Sequence, residues 1–230
     1  MSGIYSTVMA KRVFAGYGLT RRAVNTACAV LSVILVTAVP LSAAETPVRI
    51  LVLGDSLASG FGLEPGQSFP ERLETALRKA GHKVRILNAG VAGDTTAGGL
   101  ARLDWSLATK PDAVIVELGG NDGLRGIDPR TTRDNLDALL DKLKSRRIPT
   151  LLAGMVAPPN MGRKYGKAFN AVFPNLARKH DVAFYPFILE GVAGRNDLNQ
   201  DDGIHPNQAG VAIMVDRLLP HVVRLIRTLK

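Results

Sequence analysis

Ser56 sits in VLGDSLAS, residues 52–59, where an apolar run with the look of a strand breaks at Gly54 and presents an acid and then a hydroxyl. On a strand-to-helix turn a serine can project its hydroxyl into a crevice while its backbone amide faces the same space. A serine hydroxyl is a weak nucleophile until a base takes its proton, so this placement is chemically useful only if the chain supplies that base. Of the four histidines, His82 and His180 each fall between a helix end and a strand start, on the edge opposite Ser56, and read as surface or capping residues. His221 follows Pro220 in the last helix and reads as a solvated or packing residue. His205 stands apart, in the polar loop QDDGIHPN at 200–207 that follows the last strand and runs into the final helix, with Pro206 suited to a first helical turn.

Asp202 precedes His205 by three positions, close enough for one turn of chain to bring its carboxylate to Nδ1 of the imidazole. That bond fixes the tautomer and leaves Nε2 to face Ser56. Asp201 competes for the orienting role from one residue further away, and the plainer reading of DDG as a turn with His205 as a cap stays open at this level. Acyl transfer also needs donors for a developing oxyanion. The candidates are the backbone amides of Ser56 and of Gly93, where a missing side chain permits close approach, and the side-chain NH2 of Asn121. Gly93 also reads as a flexible turn within NAGVAGDTT, and Asn121 as an Asx turn within GGND.

Five short runs rich in Val, Ile and Leu must position these groups: VRILVLG (48–54), HKVRILNAG (82–90), DAVIVELGG (112–120), IPTLLAGM (148–155) and DVAFYPF (181–187). Near-continuous apolar strands are buried on both faces, which indicates a parallel sheet. Between and after them lie FPERLETALRKAG, TTAGGLARLDWSLATK, TTRDNLDALLDKLKSRR, a stretch around YGKAFNAVFPNLARKH, and Asn207 to Leu229, all with helical spacing. Five strands alternating with five helices predict one three-layer α/β domain. Gly81 reads as a C-terminal cap, Arg146 and Arg147 suit a last helical turn, and Pro174 must kink or split the fourth helix. Ligands of such sheets bind at the carboxyl ends of the strands. GDS, NAGVAGDTT and GGND follow the first three strands, so all three polar clusters are expected on that edge.

Four ordered blocks, GDSL at 54–57, Gly93 within NAGVAGDTT, GGND at 119–122 and DGIHP at 202–206, resemble the SGNH or GDSL hydrolase superfamily. The longer stretches ILVLGDSLASG, ELGGNDGLRG, MGRKYGKAFNAVFPNLARKHDVAFYPF and QDDGIHPN look like its bacterial periplasmic thioesterase I/lysophospholipase L1 and arylesterase branch. The resemblance implies a flavodoxin-like αβα sandwich around a five-stranded parallel sheet. It implies Ser56 as nucleophile, His205 as general acid/base, Asp202 as its orienting partner, and Ser56, Gly93 and Asn121 as oxyanion donors. The substrates it implies are small acyl esters or thioesters, among them aryl esters, short to medium acyl chains, acyl-CoA and lysophospholipid, with no metal and no cofactor. The serine context is not the GxSxG elbow of α/β-hydrolases, because position 58 is Ala.

Composition narrows the rest. Residues 1–44 contain no Asp or Glu, and Lys11, Arg12, Arg21 and Arg22 precede an uncharged run with small residues at Ser42 and Ala44. That is the build of a secretory signal peptide cut after Ala44, with a retained anchor as the rival and a twin-arginine route as a variant. A domain from 45 to 230, periplasmic or secreted, is then expected, with no stable membrane insertion after cleavage. Without the leader, 25 Lys and Arg face 20 Asp and Glu, so about +5 remains of the +9. Mild, scattered positive charge argues against a nucleic-acid partner, and no oligomeric state is assigned. The single cysteine, Cys28, lies in the leader, which excludes a disulfide, a Cys nucleophile or a thiolate metal site beyond it. The apolar loop MVAPPNMGRKYG, 155–166, is expected to wall or cover an acyl pocket, with Gly162 and Gly166 letting it move. Arg163, Lys164 and Lys167 fit a solvated basic face better than a phosphate site. Two other functions compete: a carbohydrate acetyl esterase on the same scaffold, and a non-catalytic, receiver-like phosphate-binding module built on Asp55. The second is disfavoured because Asp55 has no acidic partner cluster in the sequence.

Overall fold

A computed structural model describes residues 46–229; the leader and the expected cleavage point lie outside them. β1 (Val48–Gly54), β2 (Val84–Gly90), β3 (Ala113–Glu117), β4 (Thr150–Ala153) and β5 (Ala183–Tyr185) form one parallel sheet in the order β2-β1-β3-β4-β5. Ile50, Val52, Val114, Ile115 and Leu151 have almost no exposure, as the apolar runs require. β2 departs from that expectation, since as an edge strand it turns Arg85 and Asn88 outward. β5 is shorter than its run because Pro186 has no N–H to donate to a ladder.

Helices cover both faces of the sheet. α2 (Phe69–Lys79) packs on α8 (Gln208–Arg227), while α3 (Thr96–Leu107), α5 (Pro129–Ser145) and α7 (Val172–His180) pack in succession. The fourth expected helix is two, α6 (Arg163–Asn170) and α7. They part at Ala171, so that Pro174 lies in the first turn of α7, where its missing N–H has no intrahelical partner to lose. Two single-turn helices went unforeseen: α1 (Ser56–Ser59) and α4 (Gly120–Leu124). Four or five residues cannot show a helical period.

From β1 the chain steps outward to β2 and then returns to β3 on the other side, so the strand order reverses between β1 and β3. The register sets Gly54 beside both Gly90 of β2 and Glu117 of β3. Three strand ends therefore finish level at the reversal, where ligands of open α/β sheets bind.

Candidate active site

Asp55 builds the turn that carries Ser56. Its carboxylate Oδ1 accepts the Leu57 amide at 3.0 Å and caps α1, and Gly60, at φ 76°, closes it. α1 lies directly on the end of β2: a Cβ on Gly90 would come within 2.2 Å of the Ser59 nitrogen. Ser56 is thus held at the first position of a short helix, half-buried, at the tip of β1.

The other half arrives from the far end of the chain. The Gln200 amide donates to the His205 carbonyl at 2.7 Å, and its side-chain NH2 donates to the carbonyls of Phe61 at 2.8 Å and Pro206 at 3.0 Å. Gln200 thereby stitches the histidine loop to the turn after α1. Asp202 accepts the amides of Ile204 and His205 through Oδ1, each at 2.9 Å, and its Oδ2 lies 2.6 Å from His205 Nδ1. His205 Nε2 lies 2.9 Å from Ser56 Oγ. With Nδ1–H given to the carboxylate, Nε2 presents its lone pair to the serine hydroxyl. Burial opposes the charge on Asp202, yet the two amides and the imidazole outweigh it and hold the carboxyl down to about 2. Asp201 makes none of these bonds among the described residues. Pro206 is not in the first helical turn; it precedes Asn207, whose side chain accepts the Ala209 and Gly210 amides and caps α8. An amide-capping asparagine satisfies helix-end donors that a proline cannot.

Gly93 occupies the third position of a turn closed by the Asp94 amide on the Val91 carbonyl at 3.1 Å, and its φ is 80°. The positive φ by itself favours glycine here, and among protein atoms a Cβ would meet nothing nearer than Arg125 Nη2 at 3.5 Å. Arg125 Nη2 donates to the Gly93 carbonyl at 2.8 Å, and the Val91 amide ties the turn to Gly54 of β1 at 3.1 Å. Asn121, in α4, gives its Nδ2 hydrogens to the Asp94 carbonyl at 2.9 Å and to Asp55 Oδ2 at 3.2 Å. Ser56, Gly93 and Asn121 therefore share one edge, joined through Asp55, Gly54 and Asp94.

Asp55 does have an acidic neighbour, contrary to expectation: Glu117, the last residue of β3, which is fully buried and accepts the Asp55 amide at 3.2 Å. The signal was a lone acid closing the otherwise apolar strand AVIVE. Burial pushes the Asp55 carboxyl up to about 6, and burial with the adjacent Asp55 charge pushes Glu117 well above the usual range. Phe61 and Gln200 were also missed, since nothing in their local sequence marks them.

The other histidines lie elsewhere. His180 is buried rather than on the surface, its Nε2 2.6 Å from Asp137 Oδ1. His221 packs against Tyr185, ring centroids 4.8 Å apart. The 155–166 segment is anchored near both ends, where Met155 is core and the Tyr165 hydroxyl donates to the Ile127 carbonyl at 3.0 Å. Val156, Phe61, Leu124 and Ile204 expose apolar surface on the carboxyl edge. A cavity of about 590 Å³ bordered by Lys144, Arg147, Val182 and Arg224 lies at the opposite edge and contains none of the site residues. Among the described residues no three His, Cys, Asp or Glu side chains gather to hold a metal ion.

A parallel αβα sheet bearing a hydrogen-bonded serine, histidine and aspartate at its switch point is the build of an α/β serine hydrolase. Comparison with known proteins agrees. The GDSL-like lipase/acylhydrolase family matches residues 52–213. Esterase TesA of Pseudomonas aeruginosa is 41% identical over 180 residues, 78% of this chain and 88% of that protein. Thioesterase 1/protease 1/lysophospholipase L1 of Escherichia coli is 40% identical over 176 residues, 76% of this chain and 82% of that protein. The crystal structure of AlinE4, described as an SGNH-hydrolase family esterase, shares 50% identity at a TM-score of 0.67, covering 77% of this chain and 96% of that one. The chain belongs to the GDSL-like lipase/acylhydrolase family and is an ester-hydrolysing enzyme. The reading as a non-catalytic phosphate-binding module falls with that.

Proposed function

We propose that the protein hydrolyses carboxylic esters and thioesters of small acyl substrates through a covalent acyl-enzyme on Ser56. The observation that carries this is the continuous relay Asp202 Oδ2 to His205 Nδ1 at 2.6 Å and His205 Nε2 to Ser56 Oγ at 2.9 Å. His205 takes the Ser56 proton as the oxygen attacks the carbonyl carbon, and Asp202 stabilises the imidazolium that results. The Ser56 and Gly93 amides and the Asn121 side chain receive the oxyanion. His205 returns the proton to the departing alcohol or thiol, then activates the water that releases the acid. The names of the TesA and thioesterase 1 relatives support both ester and thioester substrates. The exposed apolar side chains of Phe61, Leu124, Val156 and Ile204 further support an acyl substrate.

Labelling with a fluorophosphonate probe followed by peptide mapping tests this reading. Modification at Ser56 that disappears in Ser56→Ala is expected; modification elsewhere, or none, refutes it.

The charge pattern of residues 1–44 further supports export, with cleavage after Ala44 releasing a domain that starts at Glu45 into the periplasm or medium. Among the described residues no helix is long and apolar enough to cross a membrane. Amino-terminal sequencing of the protein recovered from cells is expected to read ETPVRI. An intact Met1 in the membrane fraction would establish an anchor instead.

A further inference from the structure

The catalytic reading gives two buried carboxyls behind Ser56 no step in the reaction. Glu117 is 0% exposed and Asp55 2%, and two glycines make the room they occupy. A Cβ on Gly54 would lie 2.4 Å from Glu117 Oε2, and one on Gly120 would lie 3.1 Å from Asp55 Oδ2. The site is thus built around the pair.

Their hydrogen bonds are unequal. Glu117 Oε2 accepts the Asp55 amide at 3.2 Å, and the Ala58 amide also favours the charged carboxyl, whereas Oε1 is buried with no hydrogen-bond partner among the described residues. The Asp55 side chain acts on the Glu117 carboxyl both through its charge and as a hydrogen-bond partner. Two carboxyl groups, acceptors when ionised, can face each other in a dry site only across a proton. Asp55 meanwhile spends its own oxygens on both halves of the site: Oδ1 on the Leu57 amide at 3.0 Å, Oδ2 on Asn121 Nδ2 at 3.2 Å. His205 and Asp94 act on Asp55 electrostatically, and Arg102 reaches the adjoining Gly54 carbonyl through Nη2 at 2.8 Å.

We propose that Glu117 and Asp55 share one buried proton and act as a positioning pair, fastening the Ser56 turn and the Asn121 amide to the end of β1 in the geometry that hydrolysis needs. Neither touches the substrate. The proposal rests on the reading of Ser56 as nucleophile and Asn121 as oxyanion donor. With the proton held between the carboxyls, Glu117 gains the partner it lacks, and Asp55 keeps acceptor capacity for Leu57 and Asn121. Drawing charge from Asp55 also leaves its contact with Asn121 at the long end of the hydrogen-bond range, so that the same N–H can turn to an oxyanion. Burial raises both carboxyls above their ordinary values, which favours retention of the proton.

Carboxyl-13C labelling of aspartate and glutamate, read by NMR at neutral pH, tests the proton without reference to activity. A protonated or half-protonated carboxyl that vanishes in Glu117→Gln is expected; a fully ionised spectrum overturns the proposal. Kinetics test the positioning. Gln keeps an NH2 donor toward Asp55 and a carbonyl for the two amides, so Glu117→Gln should hold kcat within about 3-fold, while Glu117→Leu should lower kcat roughly 10- to 100-fold with KM within about 3-fold. A Gln variant as impaired as Leu, or a Leu variant with normal kcat, overturns it. If Glu117→Leu fails to fold, the NMR comparison of wild type with Glu117→Gln still decides. Failure of wild-type Ser56 to label with fluorophosphonate would instead strike the hydrolase reading, and leaves the NMR result to stand or fall by itself.

Discussion

The ring of Phe61 lies 4.7 Å from the imidazole of His205, tilted by 40°, and the Phe61 carbonyl is bonded to Gln200 within the loop that carries that histidine. Phe61, two residues past the end of α1, thus packs against the imidazole that faces the first residue of α1. Packing of this kind narrows the motion of a ring that, in the proposed mechanism, holds its Nε2 at proton-transfer distance. Phe61→Ala should therefore lower kcat roughly 3- to 30-fold, and Gln200→Ala by a similar factor. An effect on KM alone, measured with p-nitrophenyl esters, would make Phe61 a substrate contact rather than a brace.

Ser56→Ala and His205→Ala should each reduce kcat by at least roughly 1,000-fold, and the double variant should be scarcely worse than either, because the two groups act as one unit. Additive losses across the pair would refute the relay.

Asp202→Asn preserves shape but cannot stabilise an imidazolium or demand the same tautomer. A fall in kcat of roughly 100- to 10,000-fold is expected. Asp201→Asn, by contrast, should change kcat less than about 2-fold, since the surface carboxylate touches no group of the relay. Comparable losses in both would reopen the choice between the two acids.

For the donor set, Asn121→Ala should cost roughly 100- to 1,000-fold in kcat. Gly93→Ala adds a Cβ at φ 80°, which should destabilise the fold by about 1–2 kcal/mol and lower kcat as the turn shifts. A Gly93→Ala enzyme with wild-type stability and rate would remove the positive-φ argument.

Stability should record the raised carboxyl of Asp55, which moves from 3.8 in the free side chain to about 6. A carboxyl that binds its proton more tightly in the folded chain stabilises fully below its unfolded value, and that contribution is lost as pH rises through the folded value. The advantage of wild type over Asp55→Asn in urea unfolding should therefore shrink between about pH 4 and about pH 7, by up to about 3 kcal/mol. A gap that is constant or widens over that window contradicts the buried, proton-sharing environment.

Much of the site was legible because its parts are local. Asp202 and His205 are three residues apart, so a single turn brings them together in almost any fold that keeps the loop. Ser56 could be placed on an edge because an apolar strand ends just before it, and GGND could be placed on the same edge for the same reason. Gly93 could be placed on that edge as well, but its positive φ could not be read: a sequence shows that a side chain is missing, not which φ favours its absence. Pro206 was put inside the helix, whereas it stands one residue before the cap, since the capping strength of Asn207 outweighs a proline's preset φ.

By itself the sequence determined the five strands of a parallel sheet, the serine at a strand tip, the aspartate–histidine spacing and the acid-free composition of residues 1–44, because each is written in short-range spacing or composition. Only the tertiary structure decided that His205 crosses 149 positions to meet Ser56, that Gln200 and Phe61 brace it, and that Glu117 is shut against Asp55. Those contacts depend on strand order and register, which place residues side by side across the sheet when nothing in their immediate neighbours links them. Burial then converts two ordinary acids, unremarkable in the chain, into a pair that must account for a proton.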